Sequence, residues 1–296
     1  MSCAERQGYP TNRTSNPGCS NNGQAGRHPD KRGIRAWRVA ATMLLRALAG
    51  FSAWPTTVHA SPEEIVIFAD EGDKPGQFGY ELHVNYAARS RGTPDYPGEQ
   101  PPQGVLRFMP ELSYGLSDSW NLGLHLPMSH KAGSTTVDGF KLRFTNVNRR
   151  ETDWGSWFYG ANYELSCFAT RLSESRVVAE VLGILGMRYR DWLFVVNPEV
   201  GRALKSNTRE LDRSLDFDLN LKVMKKVGGG IAVGIEHYGE LGKAERPEFG
   251  VTSSQITYAT IEFATKSRLE FNIGVGHGWT DSVDRLVFKA IVGLPF

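Results

Sequence analysis

Period two is the constraint that governs this sequence. From Gly76 to the carboxyl terminus, apolar side chains return at alternate positions in run after run, and the first run is the most regular. Phe78, Tyr80, Leu82, Val84, Tyr86 and Ala88 share one face, while Glu81, His83, Asn85 and Arg89 share the other with Gly79 and Ala87. Such alternation belongs to a strand whose two faces meet different surroundings. Its length exceeds the about five or six residues usual in soluble sheets. It matches the roughly nine to eleven that cross a bilayer at a tilt.

The pattern recurs over 106–116, 120–128, 140–144, 157–165, 177–189, 192–201, 215–223, 231–236, 257–263, 269–276 and 286–296. The run 177–189 is the least regular, because Leu182 and Ile184 fall on its polar face with Glu180 and Arg188. With the first run the count is twelve, even as an up-and-down barrel with both ends on one side requires. Connections alternate in length as well. Longer ones fall at 90–103, 129–139, 168–174, 204–213, 240–254 and 278–284. Shorter ones fall at 117–119, 148–155, 189–191, 225–229 and 265–268, the stretch 148–155 being long for its class. The sequence therefore predicts an all-β, transmembrane antiparallel up-and-down β-barrel of about 12 strands.

A soluble sandwich also alternates, with its apolar face packed inside. Twelve strands of this length would make a very large sandwich. The polar face is moreover rich in small residues beside its charges, as at Gly123, Gly160, Gly201, Gly234 and Gly274, which suits a crowded inner wall. Trp120, Trp154, Trp157, Trp192 and Trp279 fall near strand ends, where aromatic girdles meet the lipid boundary. No run of 18 or more apolar residues is present to make a spanning helix.

Ahead of the barrel, three zones are expected. Residues 1–42 form a polar extension that is read as lying before the true translation start, and 43–60 have the basic flank, short apolar run and Val58-x-Ala60 ending of a signal peptide. Residues 61–75 read as a periplasmic lead-in, and 76–296 as the barrel. The formal charge of +2 reflects this leader. Residues 1–60 hold eight of the 34 basic and two of the 32 acidic residues, which leaves 26 against 30, so nucleic acid is not an expected partner. Beyond the leader only Cys167 remains, and no metal-ligand spacing occurs, so no metal, disulfide or cofactor is expected.

On this register the lumen-lining candidates are Glu81, His83, Arg107, Glu111, His125, Lys141, Arg143, Glu164, Glu199, Asp216, Asp218, Lys222, Glu236, Glu262 and Glu270, with Glu180, Arg188 and Lys289 beside them. Unpaired buried charges are costly. The expected lumen therefore holds water crossed by ion-pair ladders, with a dry plug as the alternative. Asp216-x-Asp218 with Asp212 lacks the glycine and terminal glutamate of a calcium loop and reads as hydrated acids. Gly228–Gly230 lacks the Lys-Ser/Thr of a phosphate loop and reads as a turn.

The segment 110–127, Pro-Glu-Leu-Ser-Tyr-Gly-Leu-Ser-Asp-Ser-Trp-Asn-Leu-Gly-Leu-His-Leu-Pro, resembles a hairpin of the outer-membrane channel family named for the MetA pathway of phenol degradation. The last strand, ending on Phe296 with Phe288, Val292 and Leu294 on its apolar face, resembles the strand that barrel-assembly machinery recognises in outer-membrane proteins. These resemblances imply the outer membrane of a Gram-negative bacterium, surrounding lipid, and passive passage of small molecules, aromatic or otherwise hydrophobic ones by resemblance alone. Catalytic residues are not expected. The competing functions are a lipid-modifying barrel enzyme, for which His237 and His277 lie on the lipid-facing register without a nucleophile motif, and a purely structural barrel.

Overall fold

Long strands of alternating character can satisfy their backbone in a bilayer only by closing on themselves, since lipid offers no hydrogen-bond partner to a free edge. The computed structural model, which describes residues 64–248, 253–266, 269–280 and 283–295, closes this way. Its strands are β1 (Phe78–Arg89), β2 (Leu106–Ser117), β3 (Trp120–His125), β4 (Met128–Lys131), β5 (Ser134–Val137), β6 (Gly139–Thr152), β7 (Gly155–Phe168), β8 (Ser175–Tyr189), β9 (Trp192–Ser206), β10 (Asp216–Gly228), β11 (Ile231–Lys243), β12 (Arg246–Pro247), β13 (Gln255–Ala264), β14 (Glu270–Gly278) and β15 (Leu286–Pro295). Strands β4, β5 and β12 are short extensions at the rim. The other twelve form the barrel, each antiparallel to its neighbours, and β1 pairs with both β2 and β15 to shut the ring.

The side-chain pattern assigns the faces. Tyr86, Leu112, Leu124, Tyr163, Leu185, Val196, Leu221, Ile235, Ile273 and Phe288 are exposed, while the alternate positions are largely buried. The exposed apolar band runs round the barrel and is its lipid-facing surface. Trp120, Trp154, Trp157 and Trp192 cluster at the end with short turns, and Trp154 meets Trp157 edge to face at 5.9 Å. Trp279 stands at the other end.

The short turns among the described residues fall at 118–119, 153–154, 190–191 and 229–230. Expectation and structure differ most at 148–155. There β6 and β7 remain paired to Thr152↔Gly155, and only Asp153 and Trp154 make the turn. The sequence reading places a connection over 148–155, but Val147 is buried inward and Arg149 finds a carboxylate inside the barrel. At 229–230 the chain turns through Gly228, Gly229 and Gly230, all with left-handed φ (108°, 62° and 77°), which a side chain would strain. At the long-loop end, β3 breaks at Leu126–Pro127, β4 resumes the pairing with β2, and the β4–β5 hairpin rises over the rim through Ala132 and Gly133.

Residues 1–63, 249–252, 267–268, 281–282 and 296 lie outside the described residues, and with them the polar extension, the signal peptide and Phe296 itself. Leu221 stands outward in the middle of β10. Leu221→Arg should cost about 2–4 kcal/mol in denaturant titration of the barrel in lipid vesicles, the range for a basic side chain facing the bilayer midplane.

Candidate functional site

The lead-in does not stay outside the barrel. Described residues 64–73 contact inward side chains of β3, β6 to β10 and β15, on opposite sides of the ring, which only a segment inside it can do. Glu64 meets Lys141 at 2.8 Å and Arg143 at 2.5 Å on β6. The carbonyl of Ile65 accepts from Lys289 on β15 at 3.1 Å. Phe68 is held by Asn197 on β9, whose side-chain amide accepts from the Phe68 N–H at 2.8 Å and donates to its carbonyl at 3.0 Å. Asp70 takes Arg188 of β8 at 2.5 Å and Arg149 of β6 at 3.3 Å, and the Asp73 N–H donates to Asn121 of β3 at 2.9 Å.

Ile67 and Ala69 fill a dry patch made by Val147, Phe158, Leu182, Ile184, Leu193, Val195 and Met224, on β6 to β10. Leu182 and Ile184, which broke the alternation in sequence, point inward because the segment packs on them. A water-filled bore crossed by ion pairs is thus not what this region holds. The ladders are present, but they are anchored on a threaded segment with an apolar underside.

The charged wall has three sectors. Across β1, β2, β3 and β6, Glu81, Glu111, His125 and Lys141 stand opposite one another in register, in one row across the sheet. Arg143 and Lys141 are shared between Glu64 and Glu164, with Arg143 at 2.7 Å and Lys141 at 2.9 Å from Glu164, and Arg143 lies 4.3 Å over the Phe68 ring. Removing one partner from so buried a cluster would leave a desolvated charge, at about 3–5 kcal/mol.

On β10 to β15, Lys222 meets Glu262 at 2.5 Å and Glu236 at 3.4 Å, Lys289 pairs with Glu236, and Tyr238 donates to Glu236 at 2.8 Å. A third row, Glu199, Asp218 and Glu240, is wholly acidic. Asp216 and Asp212 pair with Lys243, at 2.8 and 2.7 Å. Arg107 is buried on β2, His83 is buried on β1, and Glu270 is exposed near the short turns. Sequence reasoning missed Glu64, Asp70 and Asn197 as functional positions. The available signal was the apolar inward positions of 181–187 and 192–196, runs apolar on both faces as a doubly covered strand would be.

On the outer surface, His237 bonds Thr257 at 2.8 Å through Nδ1 and Gln255 at 2.7 Å through Nε2, and the Trp279 indole donates to Thr257 at 2.9 Å. Both ring nitrogens are engaged in a chain of polar contacts along the lipid face. His277 is exposed against Trp279 and is not joined to this chain by a hydrogen bond.

Asn197→Leu would leave the N–H and carbonyl of Phe68 unmet in a dry contact, a loss of about 1–3 kcal/mol. A cysteine placed at Ala69 in a Cys167→Ser background should then be modified by a water-soluble thiol reagent at least about fivefold faster than with Asn197 intact, the factor expected of such a loss.

No protein-family model matches the chain, and no curated protein does. Among solved structures it is similar to an outer-membrane channel from Pseudomonas putida F1, with TM-score 0.56 and 12% identity over 79% of this chain and 100% of that one. A porin named KdgM gives 0.47 at 10% identity over 74% and 99%, and outer membrane phospholipase A from Escherichia coli gives 0.40 at 9% over 74% and 92%. At these identities the likeness is one of fold: this chain is a transmembrane β-barrel of the kind found in outer membranes.

Proposed function

We propose that the protein is a gated outer-membrane channel for small molecules, shut in its resting state by its own residues 64–73. The observation that carries this reading is the chemistry of that contact. Much of the hold is ionic or made by side-chain amides, through Glu64, Asp70, Asn197 and Asn121, and these groups rehydrate when the segment leaves. Apolar packing, here by Ile67 and Ala69, is the part of the hold whose release water opposes.

The wall exposed by withdrawal would be two-sided, with Phe158, Leu182, Ile184, Leu193 and Val195 facing the charged rows of the remaining strands. Such a passage favours molecules with an apolar body and a polar or ionised end. The family-like hairpin at 110–127 supports the same direction. Lipid around the apolar band and assembly machinery acting on β15 complete the proposal, placing the barrel in a Gram-negative envelope.

Planar-bilayer recording tests it. The chain lacking residues 64–73 should show stepwise current with an open probability at least about tenfold above that of the intact chain, equivalent to about 1.4 kcal/mol of closing free energy. A folded deletion barrel without current would end the channel reading.

Acid should open the intact chain. Burial pushes the Glu64 carboxyl up, but Arg143 and then Lys141 hold it well below its ordinary value. Burial likewise raises Asp70, and the hydrogen bond from Arg188 leads the groups that bring it below the usual range. Both carboxyls therefore favour the docked state fully above their ordinary range near about 4, and this contribution fades as pH falls through their lowered docked values. Open probability should rise as pH is taken from 7 to below about 4, whereas a flat profile would show that these pairs do not hold the gate.

A further inference from the structure

His125 is completely buried on β3, yet neither ring nitrogen has a hydrogen-bond partner. An imidazole stripped of water on both nitrogens is costly unless something else meets it. What surrounds it is a set of metal-ligating groups. Glu111 Oε2 lies 3.3 Å from His125 Nδ1 and 3.3 Å from His83 Nε2, and Glu81 Oε2 lies 3.4 Å from His83 Nε2. Glu64 of the inner segment joins Glu111 and His125 in one trio, Glu81 joins His83 and Glu111 in another, and the ligand atoms of each trio lie within 4.8 Å of one another.

At His125 the 3.3 Å spacing to Glu111 favours a shared ion over direct pairing. A charge-assisted hydrogen bond is about 2.7–2.9 Å long. Two ligand atoms each about 2.0–2.2 Å from one tetrahedral zinc ion stand about 3.3–3.6 Å apart. A protonated His83 between Glu81 and Glu111 would satisfy those two acids but leave both nitrogens of His125 unmet.

Charge points the same way. Glu64, Glu81, Glu111 and Glu164 gather here against Lys141 and Arg143. Arg143 lies 3.8 Å from Glu111 and makes its short contacts with Glu64 and Glu164. With both imidazoles neutral the cluster carries two surplus negative charges, which one divalent cation cancels. Space is available beside β3: a Cβ at Gly123 would come 2.9 Å from His125 Nε2 and 3.0 Å from Glu111 Oε1, so glycine keeps that side of the cluster open.

We propose that Glu111 and His125 of the wall, completed by Glu64 of the inner segment, bind one divalent transition-metal ion of the zinc type, for which a mixed imidazole and carboxylate set is suited, while His83 stands outside the set and supports Glu111 by a hydrogen bond at 3.3 Å. The ion ties the segment to β2 and β3. Its binding rests on the geometry of the closed barrel and not on conduction, so the two ideas stand or fall separately.

The test is calorimetric titration of Zn2+ into the full folded chain in detergent after chelator treatment, with the absorption spectrum of bound Co2+ as a second readout. One ion should bind per chain, with a Co2+ spectrum of tetrahedral N/O coordination. His125→Ala should weaken binding at least about tenfold, as loss of a first ligand does no less than loss of its support. His130→Ala on β4, outside the cluster, should leave binding unchanged. If the alanine variant does not fold, judged by heat-modifiable mobility, His125→Gln keeps the volume and should weaken binding likewise. Absence of saturable binding by the folded wild-type chain would overturn the proposal, as would full binding in a folded Glu111→Gln/His125→Gln double variant.

Discussion

Everything in this structure depends on β1 being hydrogen-bonded on both sides, to β2 and to β15. Closure leaves no barrel strand with a bare edge in the bilayer, where each unmet amide would cost several kcal/mol. It also fixes which alternate set of residues looks inward. The same registers place Glu81 opposite Glu111, Glu111 opposite His125 and His125 opposite Lys141, so the charged row follows from the pairing that seals the sheet.

A closed ring of twelve strands creates a second problem, because its inner charges have little bulk water to solvate them. Residues 64–73 answer it. They bring Glu64 to Lys141 and Arg143, Asp70 to Arg149 and Arg188, and Ile67 to the apolar patch. Wall and segment are complementary in charge and in apolarity. Neither half would be well satisfied alone, which separates this interior from a simple water-filled bore.

The barrel was legible because period two is a local property, carried by residues such as Phe78, Tyr80 and Leu82 whatever lies elsewhere in the chain. The inner surface was only half legible. Charged inward positions announce themselves, as Lys141 and Glu236 do, but their partners arrive from distant strands. The segment was missed because Ile65 to Phe68 reads as any short apolar stretch. Its site is visible only through Leu182, Ile184, Leu193 and Val195, which look like lapses in alternation until the occupant is in place. The turn at 153–154 was misplaced for a related reason: Arg149 is polar, and nothing near it in sequence shows that Asp70 waits inside.

The seam of the ring also sets an order of events. Gly79 pairs with Pro295 and Leu82 with Val292, so the strand that follows the inner segment finds one of its two neighbours at the far end of the chain. Contacts this remote in sequence form late, because their loop-closure entropy must be met before they contribute. Until β15 is in place, the ring around residues 64–73 has an open side. The final zipping of β1 to β15 therefore encloses the segment, and a chain whose segment had gone astray would close around an interior with its acids and cations unmatched.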